Sequence, residues 1–213
     1  MRENLHRPTA SSYPGRSWCG AVTPNVPPVL GELAPIELAN TRYTSRGGGA
    51  ADALSTAEDL AVWLGRVADR LPAGLAAAAA SSVQDEDTVR ARALREALRS
   101  LLTSAAGRRP LDVAAAAVVN AAAAAGPGWV ELDAGDGAFT RVRRFSAPAP
   151  AAVRSFIAQE AVELLSAGAP VLACATPSCT LFFLKDHPRR TSCSPACSDR
   201  ARSARRYVKR QHG

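Results

Sequence analysis

Cys174-Ala175-Thr176-Pro177-Ser178-Cys179 and, after thirteen intervening residues, Cys193-Ser194-Pro195-Ala196-Cys197 decide how the end of this chain folds. Two close cysteine pairs joined by a short segment suit a tetrahedral metal ion, each pair supplying two adjacent corners. Pro177-Ser178 is a turn that aims the first two sulfurs inward. Leu181-Phe182-Phe183-Leu184 reads as a strand, Asp186-His187-Pro188 as a turn and Thr191-Ser192 as the returning strand. Cys193 and Cys197, four apart, share one face of a helix's first turn, where the positive helix end favours thiolates. The expected cofactor is one structural Zn2+ held by Cys174, Cys179, Cys193 and Cys197. Four sulfurs leave no open position for a reacting water, and His187 lies in the turn. So small a piece has little core of its own, and a zinc site contributes roughly 10–16 kcal/mol of apparent folding energy.

The segment after the last cysteine carries the charge. From Lys185 to Gly213, nine basic residues outnumber two acidic ones, an excess equal to the whole chain's net +7; the remaining 184 residues balance. Arginine outnumbers lysine 24 to 2 throughout, so the clustering of the arginines, more than their number, is informative. With Arg200 at zero and 100° per residue, Arg202, Arg205, Arg206, Lys209 and Arg210 fall between about 140° and 280°, one basic face. Cys193, Cys197, Ala201, Ala204, Tyr207 and Val208 fall opposite, which predicts a helix packed on the hairpin through that side. Arg189 and Arg190 extend the basic surface from the hairpin. A helix of this width fits the major groove of B-DNA, and guanidinium groups suit phosphates and guanine edges. The expected nucleic-acid contacts are Arg189, Arg190, Arg202, Arg205, Arg206, Lys209 and Arg210.

Working outward, the other 170 or so residues read as mostly helical. Residues 1–33, rich in Pro, Ser, Thr and Gly, read as a disordered arm, with Cys19 a free thiol. Pro35–Thr41 is a short helix broken at Arg46-Gly47-Gly48-Gly49. Ser55-Thr56-Ala57-Glu58 reads as a capping box, followed by Leu60, Trp63, Leu64 and Val67 at helical spacing. Further helices are expected over 85–104, with Val89, Ala93, Leu94, Ala97, Leu98 and Leu101 inward; over 110–125; and over 151–167, with Val153, Phe156, Ile157, Val162, Leu164 and Leu165 inward. Trp129–Leu132 and Phe139–Arg143 alternate around a glycine-bearing turn and read as a β-hairpin. The fold class is therefore α+β: a mostly helical N-terminal domain with a small antiparallel hairpin, then a treble-clef-like zinc finger with a C-terminal helix. Domain bounds are 34–168 and 169–213.

With 47% hydrophobic residues but only 5% aromatic, the core is built from small side chains. Met1–Gly20 lacks the apolar stretch of a signal peptide, and 113–130 is a poor membrane span, broken by Asn120 and Pro127. Four of five cysteines within 24 residues indicate metal binding in a reducing compartment, so a cytoplasmic protein without membrane contact is expected.

The stretch Leu172–Arg210 resembles the CGNR zinc-finger family, whose last cysteine opens a Cys-Gly-Asn-Arg signature. Here it reads Cys197-Ser198-Asp199-Arg200, and Ser192 stands where the family usually has tryptophan. The upstream part looks like the ABATE domain that commonly precedes this finger, through Ile36-Glu37-Leu38-Ala39-Asn40-Thr41, Leu60-Ala61-Val62-Trp63-Leu64 and Leu94-Arg95-Glu96-Ala97-Leu98. The resemblance implies a bacterial stress-responsive transcription regulator with a sensing N-terminal domain and a DNA-binding finger.

The expectation is thus a zinc-dependent regulator that binds double-stranded DNA, its N-terminal domain sensing a small molecule or forming a homodimer. The alternative is a zinc-stabilised module that binds RNA or an acidic protein. Asn40, Thr41 and Trp63 are the candidate ligand-binding residues. No catalytic residue is expected, because the three histidines lie in tails or a turn and no nucleophile–base pair or phosphate loop is visible.

Overall fold

The computed structural model describes residues 27–45, 48–135 and 137–211. The expected arm up to residue 26, with Cys19, lies outside the described residues, as does the side chain of Lys209. Among the described residues no helix is long and apolar enough to cross a membrane.

Helix α1 (Ala34–Ala39) starts with a proline in its first turn and buries all six of its residues. Two short antiparallel strands follow, β1 (Arg42–Thr44) and β2 (Ala50–Asp52), where the sequence reading saw only a glycine break. Helix α2 (Ala57–Arg66) is capped one residue later than expected: the Thr56 hydroxyl accepts from the Asp59 amide, and the Asp59 carboxylate accepts from the Thr56 amide, both at 3.1 Å. That start turns Leu60, Trp63 and Leu64 inward. A 3-10 turn (Ala68–Arg70) and the alanine helix α3 (Leu75–Ala80) come next.

Helix α4 (Asp85–Ala105) buries Ala91, Leu94, Arg95, Leu98 and Leu102. Its inner face is rotated from the expected one, leaving Val89 and Ala93 exposed. The rotation brings Arg95 to the inner side, where it makes a two-pronged ion pair with Asp52 at the end of β2, one arm at 2.7 Å. Helix α5 (Val113–Ala124) begins at an Asp112 cap, whose carboxylate accepts from the Ala115 amide at 2.9 Å.

The hairpin β3 (Gly128–Gly135) and β4 (Ala138–Phe145) is longer than the sequence pattern suggested. Its base rests on α6 (Ala149–Ser166): Phe145 stands edge-on to Phe156 with centroids 6.5 Å apart, and Arg143 donates to Gln159 at 2.9 Å. A Cβ at Gly128 would meet the Phe145 ring at 2.8 Å, so only glycine fits opposite that phenylalanine. Val162, expected inside, is exposed.

The last elements are β5 (Val171–Ala173), paired antiparallel with β6 (Phe182–Leu184), and α7 (Pro195–Gln211). The hairpin partners differ from those expected: Phe182–Leu184 pairs backwards with β5, across the first cysteine pair, and Thr191-Ser192 forms no strand. The mixed helical fold with small antiparallel sheets agrees with the expected class.

The C-terminal segment is welded to the helical body. Val171 and Phe182 belong to the same core as Ile36, Trp63, Leu98 and Ile157. The Asn40 side chain, wholly buried, donates to the Phe182 carbonyl at 2.9 Å and accepts from the Phe182 amide at 2.8 Å, completing the edge of β6 as a strand would. Arg99 of α4 donates to the Ala39 and Arg42 carbonyls at 2.8 and 3.0 Å and covers the Phe182 ring. We expect Asn40→Ala, which orphans both buried groups of Phe182, to lower unfolding free energy by about 2–4 kcal/mol. Chemical denaturation of metal-loaded protein measures it; a loss within error of zero would refute this role.

Residues 27–33 run across both parts. The Glu37 carboxylate accepts from the amides of Leu30 at 2.9 Å and Glu32 at 2.7 Å, and Glu160 accepts from the Ala34 amide at 3.1 Å. Burial pushes both carboxyls up to about 7. The folded chain therefore keeps these protons to higher pH than the unfolded chain does. The resulting stability is fully present below about pH 4.5 and is lost as pH rises through 7. Glu160→Gln, which keeps an acceptor for Ala34, should flatten that decline by on the order of 2 kcal/mol. Stability measured from pH 5 to 8, as parent minus variant so that thiol protonation cancels, tests the sign; a difference that does not change with pH would contradict it.

Candidate metal centre

The first cysteine pair brackets a tight turn in which Ser178 adopts a left-handed φ of 64° and the Cys179 amide bonds the Thr176 carbonyl at 3.1 Å. The turn joins β5 to β6, so the strand pairing fixes where both sulfurs sit. The second pair sits at the start of α7. Ser194 caps this helix, its hydroxyl accepting from the Cys197 amide at 3.3 Å, and Pro195 opens the first turn. The Thr176 hydroxyl donates to the Cys197 carbonyl at 3.0 Å, tying turn to helix, and the Cys193 amide donates to the Cys174 sulfur at 3.4 Å.

All four sulfurs lie within 4.8 Å of one another. Cys179 is 3.8 Å from Cys193, Cys193 is 3.5 Å from Cys197, and Cys197 is 3.8 Å from Cys179. A tetrahedron with metal–sulfur bonds of about 2.3 Å has edges of roughly 3.8 Å, so the separations among Cys179, Cys193 and Cys197 suit a four-coordinate ion such as zinc. Cys174, Cys193 and Cys197 are buried, and Leu181 and Phe183 pack around them. The electrostatics point the same way. Hydrogen bonds from Cys179 and Cys193 hold the Cys174 thiol well below the ordinary thiol range. Hydrogen bonding to the Cys174 sulfur pushes Cys179 up to about 12 and raises Cys193 as well. Four thiols so close cannot all ionise alone; a divalent cation removes that conflict.

The structure sorts the expected nucleic-acid contacts into two groups. Arg190 is consumed inside the fold. Its guanidinium lies 4.5 Å over the Phe183 ring, pairs with Glu32 at 3.1 Å and Asp186 at 3.0 Å, and donates to the carbonyls of Leu184 and Cys193 at 3.1 and 3.2 Å. It is a clamp, and its assignment to the outer surface is corrected. Glu32 completes the clamp by accepting from the Leu184 amide at 3.2 Å. Arg189, Arg202, Arg205, Arg206 and Arg210 are exposed, Arg202 with Asp199 as a neighbour on the helix.

The far half of α7 does not pack on the hairpin as expected. From Arg202 onward every described side chain is exposed, including Tyr207 at 65% and Val208 at 54%. The helix leaves the finger after about two turns and projects, because the hairpin is too short to accompany it. Arg200 turns back toward the metal site and donates to the Cys197 sulfur at 2.8 Å.

The candidate ligand residues are likewise put to other use. Asn40 is the strand-edge partner of Phe182, Thr41 donates to the Leu38 carbonyl at 2.7 Å, and Trp63 is 1% exposed in the core. The cavity beside Trp63, lined by Leu38, Leu60, Val83, Val153 and Ile157, measures about 20 Å3, room for about one water and too small for an organic ligand. Sequence reading missed Glu32, Arg95 and Arg99. The one signal for the two arginines was their position between Leu94, Leu98 and Leu102 on the buried side of a helix.

A family model described as "ABATE: Putative stress-induced transcription regulator" matches residues 33–168, more than half of the chain. The chain belongs to this family. The four C-terminal cysteines, beyond the matched region, cluster in the manner of a CGNR-type zinc finger. A search of curated proteins finds no match.

Arg200 offsets the negative charge that a tetrathiolate keeps even with a divalent ion bound. Arg200→Gln should weaken Zn2+ retention about 10-fold. Competition against a chromophoric chelator reads the affinity, and alkylation rates read the exposure of Cys197 sulfur; unchanged values in both would show the contact to be idle.

Proposed function

We propose that this ABATE-family protein is a DNA-binding transcriptional regulator, in which a structural Zn2+ bound by Cys174, Cys179, Cys193 and Cys197 anchors α7 and α7 meets the duplex. The observation that carries the reading is the projecting basic helix. Arg205, Arg206 and Arg210 stand in solvent beyond the finger, with Arg202 beside them and Arg189 on the adjoining loop. A rod of helical diameter free on most sides suits a major groove, and its cations suit the flanking phosphates. The body contributes no net charge, so the attraction comes from the C-terminal segment alone. The thiol-rich site and the regulator family favour a reducing cytoplasm. A catalytic role has no support, since the donor set is closed by four sulfurs and the exposed His187 is bound up with the Arg189 amide.

One observation favours RNA or single strands as a second reading. Tyr207, expected to face inward, is exposed among the arginines and offers a ring for base stacking. A sensing role for the body rests on the family description.

Reversing Arg202, Arg205 and Arg206 to glutamate should weaken duplex binding at least 100-fold while leaving metal content and folding intact. If about five phosphates are met, log K against log salt has a slope of about −4 to −5. Fluorescence anisotropy across a salt series measures both quantities. A flat salt response would reject the reading. Competition by structured RNA, weakened by Tyr207→Ala, would replace duplex DNA with the second reading.

A further inference from the structure

Twelve large apolar side chains are exposed among the described residues, and seven of them fall between 111 and 139. Leu111 precedes α5; Val113 and Val118 are on it; Trp129, Val130, Leu132 and Phe139 are on the β3–β4 hairpin. The two elements are abnormal for a solvent-facing position in the same way. Helix α5 carries no charge from Val113 to Ala124 and buries only Ala115 and Val119. At 100° per residue its exposed positions, Val113, Ala114, Ala117, Val118, Asn120, Ala121 and Ala124, form one stripe about 160° wide, uncharged and apolar but for Asn120 at one edge. A helix face so nearly free of polar groups belongs against a partner, not in water.

The hairpin completes the pattern. Its register puts Val130, Leu132 and Phe139 on the face that carries Phe145 and Arg143. At the base that face rests on α6, through Phe145 against Phe156 and Arg143 against Gln159. Farther out the same face continues uncovered, with Leu132 and Phe139 exposed by 72% and 76%. A two-stranded ribbon is only marginally stable by itself, so an overhang of this length calls for a cover.

We infer that the cover is a second copy of this chain, each hairpin laying Leu132 and Phe139 along the alanine stripe of the partner's α5. The chain carries both halves of such a contact, large projecting side chains and a shallow trough of small ones, so a two-fold axis satisfies both at once. Excluding Trp129, which lies on the other hairpin face, the exposed large side chains leave on the order of 600 Å2 of apolar surface per chain, before the alanines are counted. Two chains then bury on the order of 1,200 Å2 or more, within the range of specific interfaces. The stripe has no charge to attract a polyanion or a charged protein segment, and a second copy needs none.

Sedimentation equilibrium of the full, metal-loaded chain without nucleic acid should give twice 22.2 kDa at micromolar concentration. Leu132→Glu with Phe139→Glu should return it to monomer. So should Ala117→Glu with Ala121→Glu, a change on an exposed helix that leaves folding intact by circular dichroism and so guards against a misfolded hairpin in the first pair. A photo-crosslinking phenylalanine analogue in place of Phe139 should join to α5 of another chain. A monomeric parent, a dimer that survives the α5 pair, or a cross-link that maps to α7 or to the other hairpin would each overturn the proposal. Because no nucleic acid is present, its failure is separate from failure of DNA binding.

Discussion

Four thiols within 4.8 Å of one another cannot hold that geometry as four charges, and as four neutral thiols they have little reason to. The rest of the C-terminal segment is arranged around this constraint. The turn at Ser178 is wound into an uncommon backbone conformation, the Thr176 hydroxyl is spent on the Cys197 carbonyl, and the first turn of α7 is capped so that two sulfurs point back at the strand pair. Each device is small, about 1 kcal/mol by usual reckoning, and each is useful only if a cation joins the sulfurs. A cation in that cage would make the C-terminal segment a fixed mount for a helix.

A mount is of use only if it is itself held. Asn40 hydrogen-bonds to both main-chain groups of Phe182, Arg99 covers the ring, and the Glu32–Arg190 pair closes the opposite side of β6. These contacts come from α1, α4 and the 27–33 segment, three separate parts of the body. The direction of α7 is consequently referred to the helical body and not to a linker. Any signal received by the body has a short mechanical route to the finger through α1, whose C-cap residue Asn40 is the contact.

What could be read from the sequence divides along the same line. The metal ligands, the long helices and the β3–β4 hairpin were legible because each is a local signal: a spacing, a period of 3.6 or an alternation. The partner of β6 was not, since Leu181–Leu184 is apolar enough to pair on either side, and tertiary contact with Asn40 and the core chose. Nor was the role of Arg190. Its charge reads identically whether it faces phosphate or Glu32, and only the fold shows that Phe183 and two carbonyls already surround it. Asn40, Thr41 and Trp63 carry no local signal that tells a ligand contact from a structural one; burial makes the first a strand partner and the last core. The α4 face was misjudged by one position, because a buried arginine paired to Asp52 breaks the rule that charge marks the outside.

The free half of α7 follows from this economy. Beyond Ala201 no hairpin remains to pack on, so the helix depends on intrinsic propensity, for which alanine and arginine are well suited. Its own charges oppose it: Arg202, Arg206 and Arg210 repeat every four residues, as do Arg205 and Lys209, and like charges at that spacing destabilise a helix by about 0.2–0.5 kcal/mol per pair. A row of phosphates along that side removes the repulsion. On the DNA-binding reading, the segment least stable as a helix in water gains most from the polyanion, and the helix firms as it binds. On the same reading a metal in the cage would fix where that helix starts, and the partner's charge would decide how far it extends.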